Sequence, residues 1–170
     1  MEAKSIKKTC KQVQYRETEL LSLIHRNLND LKQTMIRGGK MYYITFIDDF
    51  LRYTKIYLLK NKDEVNEKFL MYKNKVENQF HKKIKRLRTN GRGEYDSRML
   101  NAYYETHVII HELTPSYSPE ANGEAERKNK IMRNILNTML ISFRASLNLW
   151  GKAMLSTCHV QNRIPYMKIG

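Results

Sequence analysis

The chain has 170 residues, with 31 Lys and Arg against 17 Asp and Glu, a net charge of +14 and a hydrophobic share of 41%. That composition fits one globular domain with a real core. It excludes a membrane span, since no apolar run approaches the ~18 residues one requires. It also excludes a secretory signal, because the basic start lacks an apolar segment, and a disulfide framework or complete zinc site, because Cys10 and Cys158 stand alone and far apart.

Residues 1–19 are polar and aperiodic and read as a basic tail or linker; residues 20–170 read as the domain. Leu20 to Leu28 is a mostly apolar run that suits a buried strand or a short helix. Met41 to Ile47 and Tyr53 to Leu59 are aromatic and β-branched, and predict two strands in an antiparallel hairpin joined through Asp48 to Arg52. Tyr42, Tyr43, Tyr53 and Tyr57 are expected to pack within that sheet. Asn61 to Glu64 supplies a cap. Val65, Phe69, Tyr72, Val76 and Phe80 then mark one face of a helix.

Lys83 to Arg88, where Ile84 and Leu87 alternate with basic residues, predicts a short strand, ended by Asn90-Gly91-Arg92-Gly93. Ser97 to Thr106 predicts a helix with Leu100, Tyr103 and Tyr104 inward, and Val108 to Ile110 a strand. After the Pro115–Pro119 loop, Glu120 to Phe143 predicts a long helix with Met132, Ile135, Leu136, Met139, Leu140 and Phe143 on one face. The last helix starts at Leu149-Trp150, carries Trp150, Met154 and Cys158 on a stripe, and stops before Ile164-Pro165. Alternating strands and helices with an early hairpin imply an α/β fold with a mixed sheet and flanking helices.

The charge is not scattered. Lys82, Lys83, Lys85, Arg86, Arg88 and Arg92 form one basic tract without an acid, and eight Lys or Arg follow from Arg127 onward with none. Two such tracts suit a phosphate backbone, which binds cationic surfaces by releasing counterions. Between them, Ser118 to Asn129 opens from a turn into Glu120, Glu124 and Glu126, then into the basic helix. Metal-assisted phosphodiester chemistry holds two Mg²⁺ ions about 4 Å apart, mainly on carboxylates. Such ligands come from strand ends and helix starts, and those positions here are Asn27, Asn90 and Glu126.

A family resemblance rests on His25-Arg26-Asn27-Leu28, Gly38-Gly39-Lys40, Phe46-Ile47-Asp48-Asp49, Leu87-Arg88-Thr89-Asn90, Gly93-Glu94-Tyr95, Asn122 to Asn129 and Leu149-Trp150-Gly151. In that order these residues resemble the integrase catalytic core of copia-type retrotransposon Pol polyproteins, from about Thr18 to Gly170. The 35 residues between Asn90 and Glu126 match the spacing of the second and third acids in the D,D-35-E pattern. The resemblance implies a ribonuclease-H-like fold, DNA 3′-end processing and strand transfer with Mg²⁺ or Mn²⁺, a DNA partner held through its backbone, a homo-oligomer and nuclear action. Cys10 would be the last trace of an upstream zinc module. The protease, the reverse transcriptase and the C-terminal extension are not in the matched segment, so an autonomous element product is not expected.

Carried over residue by residue, the first family acid falls on Asn27 and the second on Asn90; Glu126 alone is an acid. Arg92 stands where the family has glycine. An amide is neutral and offers one carbonyl oxygen, so it does not bridge two dications as a carboxylate does. Each lost contact at ~4 Å removes on the order of a few kcal/mol of metal binding. The expectation is therefore a Mg²⁺ or Mn²⁺ site that no longer holds its metals tightly, and no strand transfer. Arg127, Lys128, Lys130 and Arg133 are expected to contact phosphate beside the first tract, with Glu94 as a supporting acid. Two alternatives stay open: an active enzyme on an altered ligand set (Glu126, Glu94 and one of Asp30, Asp48 or Asp49), or a non-catalytic nucleic-acid-binding domain recruited by a host.

Overall fold

The computed structural model describes residues 16–30, 39–90, 98–114, 119–144, 146 and 149–164. Its strands are β1 (Leu23–Asp30), β2 (Tyr42–Asp48), β3 (Thr54–Leu59), β4 (Arg86–Asn90) and β5 (Ile110–Thr114). Its helices are α1 (Val65–Phe80, entered through a 3₁₀ turn at Lys62–Glu64), α2 (Arg98–Thr106), α3 (Pro119–Ser142) and α4 (Trp150–Gln161). The strands form one mixed sheet in the order β3-β2-β1-β4-β5. β1–β2 and β2–β3 are antiparallel, and β1–β4 and β4–β5 parallel. This is the ribonuclease-H-like arrangement that the resemblance implied, with the expected early hairpin.

Both sheet faces are covered, which is why β2 is buried and mostly apolar without clean alternation and β1 is buried from Leu23 to Asn27, polar residues included. Ile24, Ile44, Phe46 and Leu87 face α1 and α2, and pack on Phe69, Tyr72, Val76, Leu100 and Tyr104. Tyr43 and Ile56 point the other way onto Met132, Leu136 and Leu140 of α3 and Met154 and Cys158 of α4. Glu64 stops the start of α1 from fraying, accepting the backbone N–H groups of Lys60 (2.8 Å) and Asn61 (3.0 Å).

Several boundaries differ from the sequence expectation, each for a local reason. The strand after α2 begins at Ile110 and not Val108, because Val108 sits in a turn at φ 55° and is 82% exposed. His107 therefore closes α2, with its N–H and ring Nδ1 both at the Tyr103 carbonyl, and His111 alone is on β5. The fourth strand runs Arg86–Asn90, leaving Lys83 to Lys85 before it. Phe80 and Phe143 are exposed: Phe80 is the last residue of α1 before a left-handed His81, and Phe143 lies one residue past α3. Tyr53 is half exposed at the end of the hairpin turn. Among the described residues no helix is long and apolar enough to cross a membrane. Cys10, Arg92, Glu94 and the Pro115–Ser118 stretch lie outside the described residues.

Candidate active site

The parallel ladder between β1 and β4 runs from Leu23↔Arg86 to Arg26↔Thr89. One residue further along each strand stand Asn27 and Asn90. Asn27 is also paired with Thr45 on β2, and Asn90 with Thr114 on β5. One row thus crosses four strands as Thr45, Asn27, Asn90 and Thr114, and it contains no carboxylate. Asn27 and Thr45 are buried on the face that α3 and α4 cover. Thr45 Oγ1 donates to the Asn27 carbonyl at 3.3 Å. The ladder therefore brings together the two strand positions that the sequence singled out.

Helix α3 packs against α4 and touches β1. Its inner face carries Ala125, Lys128, Asn129, Met132 and Leu136, all buried. Glu126 is exposed beside this face, with Lys130 and Arg133 one and two turns further along the same side. Asn129 is the residue that sequence reasoning missed. It is 1% exposed, and neither its Nδ2 nor its Oδ1 has a protein partner. Thr114 Oγ1 and the Tyr43 hydroxyl are also buried without one. The four-residue step back from Met132 and Leu136 to Lys128 and Met132 was the available signal that this helix buries polar groups at its start.

The neighbouring acids are occupied. Asp48 Oδ1 accepts from the Leu51 N–H (2.7 Å) and Oδ2 from the Leu21 N–H (2.9 Å), and burial raises its pKa in spite of them. Burial also works to raise Asp49, but His25 Nε2 and Arg52 Nη1, each 3.0 Å from Oδ1, and the Glu17 N–H at 2.8 Å outweigh it. They hold its carboxyl at about 2. These two acids serve the turn. Asp30 is exposed at the end of β1, an odd number of residues from Asn27 and so on the other side of the strand.

The first basic tract is largely matched by acids from elsewhere in the chain. Lys83 reaches Glu77 at 2.9 Å and Lys85 reaches Glu19 at 2.6 Å. Arg86 pairs with Glu17 and, at 3.2 Å, with Glu112; Arg88 pairs with Glu112 at 2.7 Å. Lys82 is exposed. Lys128 differs most from its expected phosphate contact. It is 7% exposed, its Nζ donates to the Arg52 carbonyl, and burial pushes its ammonium down to about 8. Arg127, Lys130 and Arg133 are exposed on α3.

The described donor set does not fit a pair of divalent cations. Among the described residues no three His, Cys, Asp or Glu side chains cluster as metal ligands. In the backbone register the row holds only amide and hydroxyl residues, and those lack the charge that hard cations select.

No protein-family model matches the chain. It is 35% identical over 150 residues, 88% of its length, to the retrovirus-related Pol polyprotein from transposon TNT 1-94 of Nicotiana tabacum. Over 124 residues, 73% of its length, it is 35% identical to that from transposon RE2 of Arabidopsis thaliana. It spans 11% and 8% of those polyproteins. Similar folds occur in the HTLV-2 integrase catalytic core domain in complex with magnesium (TM-score 0.62, 14% identity, 91% of this chain and 93% of that one). A simian T-cell lymphotropic virus intasome bound to PP2A regulatory subunit B56 gamma gives TM-score 0.69 at 12% identity, covering 91% and 53%. Sequence relatives and shared fold agree: the chain is a retrotransposon integrase core-like domain, homologous to a segment of copia-type Pol polyproteins.

Proposed function

We propose that this domain binds DNA through its phosphate backbone and does not carry out metal-dependent strand transfer. The observation that carries the reading is the uncharged row Thr45, Asn27, Asn90 and Thr114. In-line displacement at phosphorus needs charge density that clamps two cations against the attacking and leaving oxygens. The described side chains bring one carboxylate, Glu126, and it is exposed. Arg127, Lys130 and Arg133 supply the sequence-independent attraction, which weakens with salt. Self-association belongs to the same reading, supported by the dimeric and trimeric forms of the HTLV-2 neighbour.

The test is a nicking and strand-joining assay on labelled duplex with Mg²⁺ or Mn²⁺ titrated in, run beside a binding titration at several salt concentrations. Salt-sensitive binding without metal-dependent cleavage is expected. Cleavage that rises with metal and disappears in Glu126→Gln would establish the altered-ligand enzyme instead.

A further inference from the structure

Two clefts flank the β2–β3 turn, and Leu51 and Tyr53 line both. The first holds about 180 Å³ between the turn and the end of α1. Its rim exposes large apolar side chains: Leu51 is 46%, Tyr53 48% and Phe80 37% exposed. Exposed apolar groups around a concave floor mark a contact surface. Lys55 and Lys75 also line this cleft, and its one carboxylate, Asp48, is turned inward onto two backbone N–H groups. The second cleft, about 340 Å³, adds Lys128 and Arg163 and has no carboxylate in its lining.

The chemistry of an occupant follows. Tyr72 is buried and stacked on Phe46 (4.6 Å, 9°), while Tyr57 meets Phe46 in a T-shaped contact (6.0 Å, 72°) and has the Lys55 ammonium 5.6 Å from its ring centroid. Tyr72 is buried against Phe46 and the exposed ring, Tyr53, stands on the rim, so the floor offers a hole for one apolar side chain. A second copy of a +14 chain meets cations with cations here. We propose that the Leu51–Tyr53 ridge docks a short acidic peptide of a partner protein. Its aliphatic or aromatic anchor enters the tyrosine-floored cleft, and its carboxylates meet Lys55 and Lys75 on one side and Arg163 on the other.

The test is fluorescence anisotropy of the full chain with a labelled nonapeptide in which Leu-Phe is flanked by Asp and Glu. Two controls replace the acids with Lys or the anchor with Ser-Ser. Saturable binding of the acidic peptide is expected, at least about tenfold tighter than either control. Lys75→Glu and Leu51→Ser, both exposed positions, should each weaken it several-fold with unchanged circular dichroism. Absent saturation, equal binding of the Lys peptide, or indifference to both substitutions overturns the proposal. So does displacement by a single-stranded oligonucleotide in wild type and Lys75→Glu alike, which would make the surface a nucleic-acid site. A sedimentation shift abolished by Leu51→Ser would make it a self-association face. The comparison of peptides on the wild-type chain decides even where a variant fails to fold.

Discussion

The Lys128 ammonium donates to the backbone carbonyl of Arg52, tying α3 in its third turn to the hairpin connection, where Arg52 sits at φ 59°. Burial holds this amine at about 8, against 10.5 when exposed, a difference equivalent to about 3 kcal/mol disfavouring the charged form. The unfolded chain therefore binds the extra proton between those values, and this site's penalty is full below about pH 8 and relieved as pH rises above it. Lys128→Met should gain about 1–2 kcal/mol at pH 7, after the lost hydrogen bond is subtracted. Urea unfolding of both proteins should show that advantage shrinking from pH 8 toward pH 10, and DNA binding should be unchanged.

Asp49 works in the opposite direction. Its carboxyl is depressed to about 2 from 3.8, so it stabilises the fold above pH 4 and loses that contribution as pH falls toward 2. The shift is equivalent to about 2 kcal/mol. Asp49→Asn leaves His25 and Arg52 without their buried anion, and should cost about 3–5 kcal/mol at neutral pH. Chemical denaturation at pH 7 and pH 2.5 should show a much smaller gap between the two proteins at the lower pH.

The two basic tracts should behave differently in DNA binding. Replacing Arg127, Lys130 and Arg133 together by Gln should lower the slope of log K against log salt by about 2–3, near 0.9 per lost contact. Arg88→Gln should change it little, because Glu112 already meets that guanidinium. Glu112→Gln should tighten binding at low salt by removing the negative charge beside Arg86 and Arg88. A salt series by fluorescence polarisation distinguishes these outcomes.

Restoring the missing acids is a separate matter from binding. The double substitution Asn27→Asp, Asn90→Asp places two carboxylates one step past the β1–β4 ladder. It should raise the melting temperature in Mg²⁺ relative to EDTA, where the starting chain shows no difference. Calorimetry in both buffers checks this without requiring turnover.

Element types were legible because the patterns were strong. The hairpin was written in aromatic and β-branched residues, and α1 in Val65, Phe69, Tyr72 and Val76. The site's positions could be read from motif order, and the ladder puts Asn27 and Asn90 on neighbouring strands. What could not be read was pairing across long separations. Lys82 to Arg92 looked like an uncompensated basic tract, yet Glu17, Glu19 and Glu112 lie far from it in sequence and next to it in space. The burial of Lys128 was hidden for a related reason: charge suggested solvent, and helix phase placed it with Met132. Phe80 and Phe143 fit their helical stripes, but each stripe ran to or beyond the last helical turn.

The uncharged row across β2, β1, β4 and β5 has a consequence for the protein without any ligand. Clustered carboxylates at the centre of a sheet repel one another until a cation arrives, and a fold that carries them is held together partly by its metal. Amides and hydroxyls in those places exert no such repulsion. This domain is expected to reach its native state from its own residues, indifferent to chelators, and to keep the α3 surface proposed to meet DNA whether or not magnesium is present.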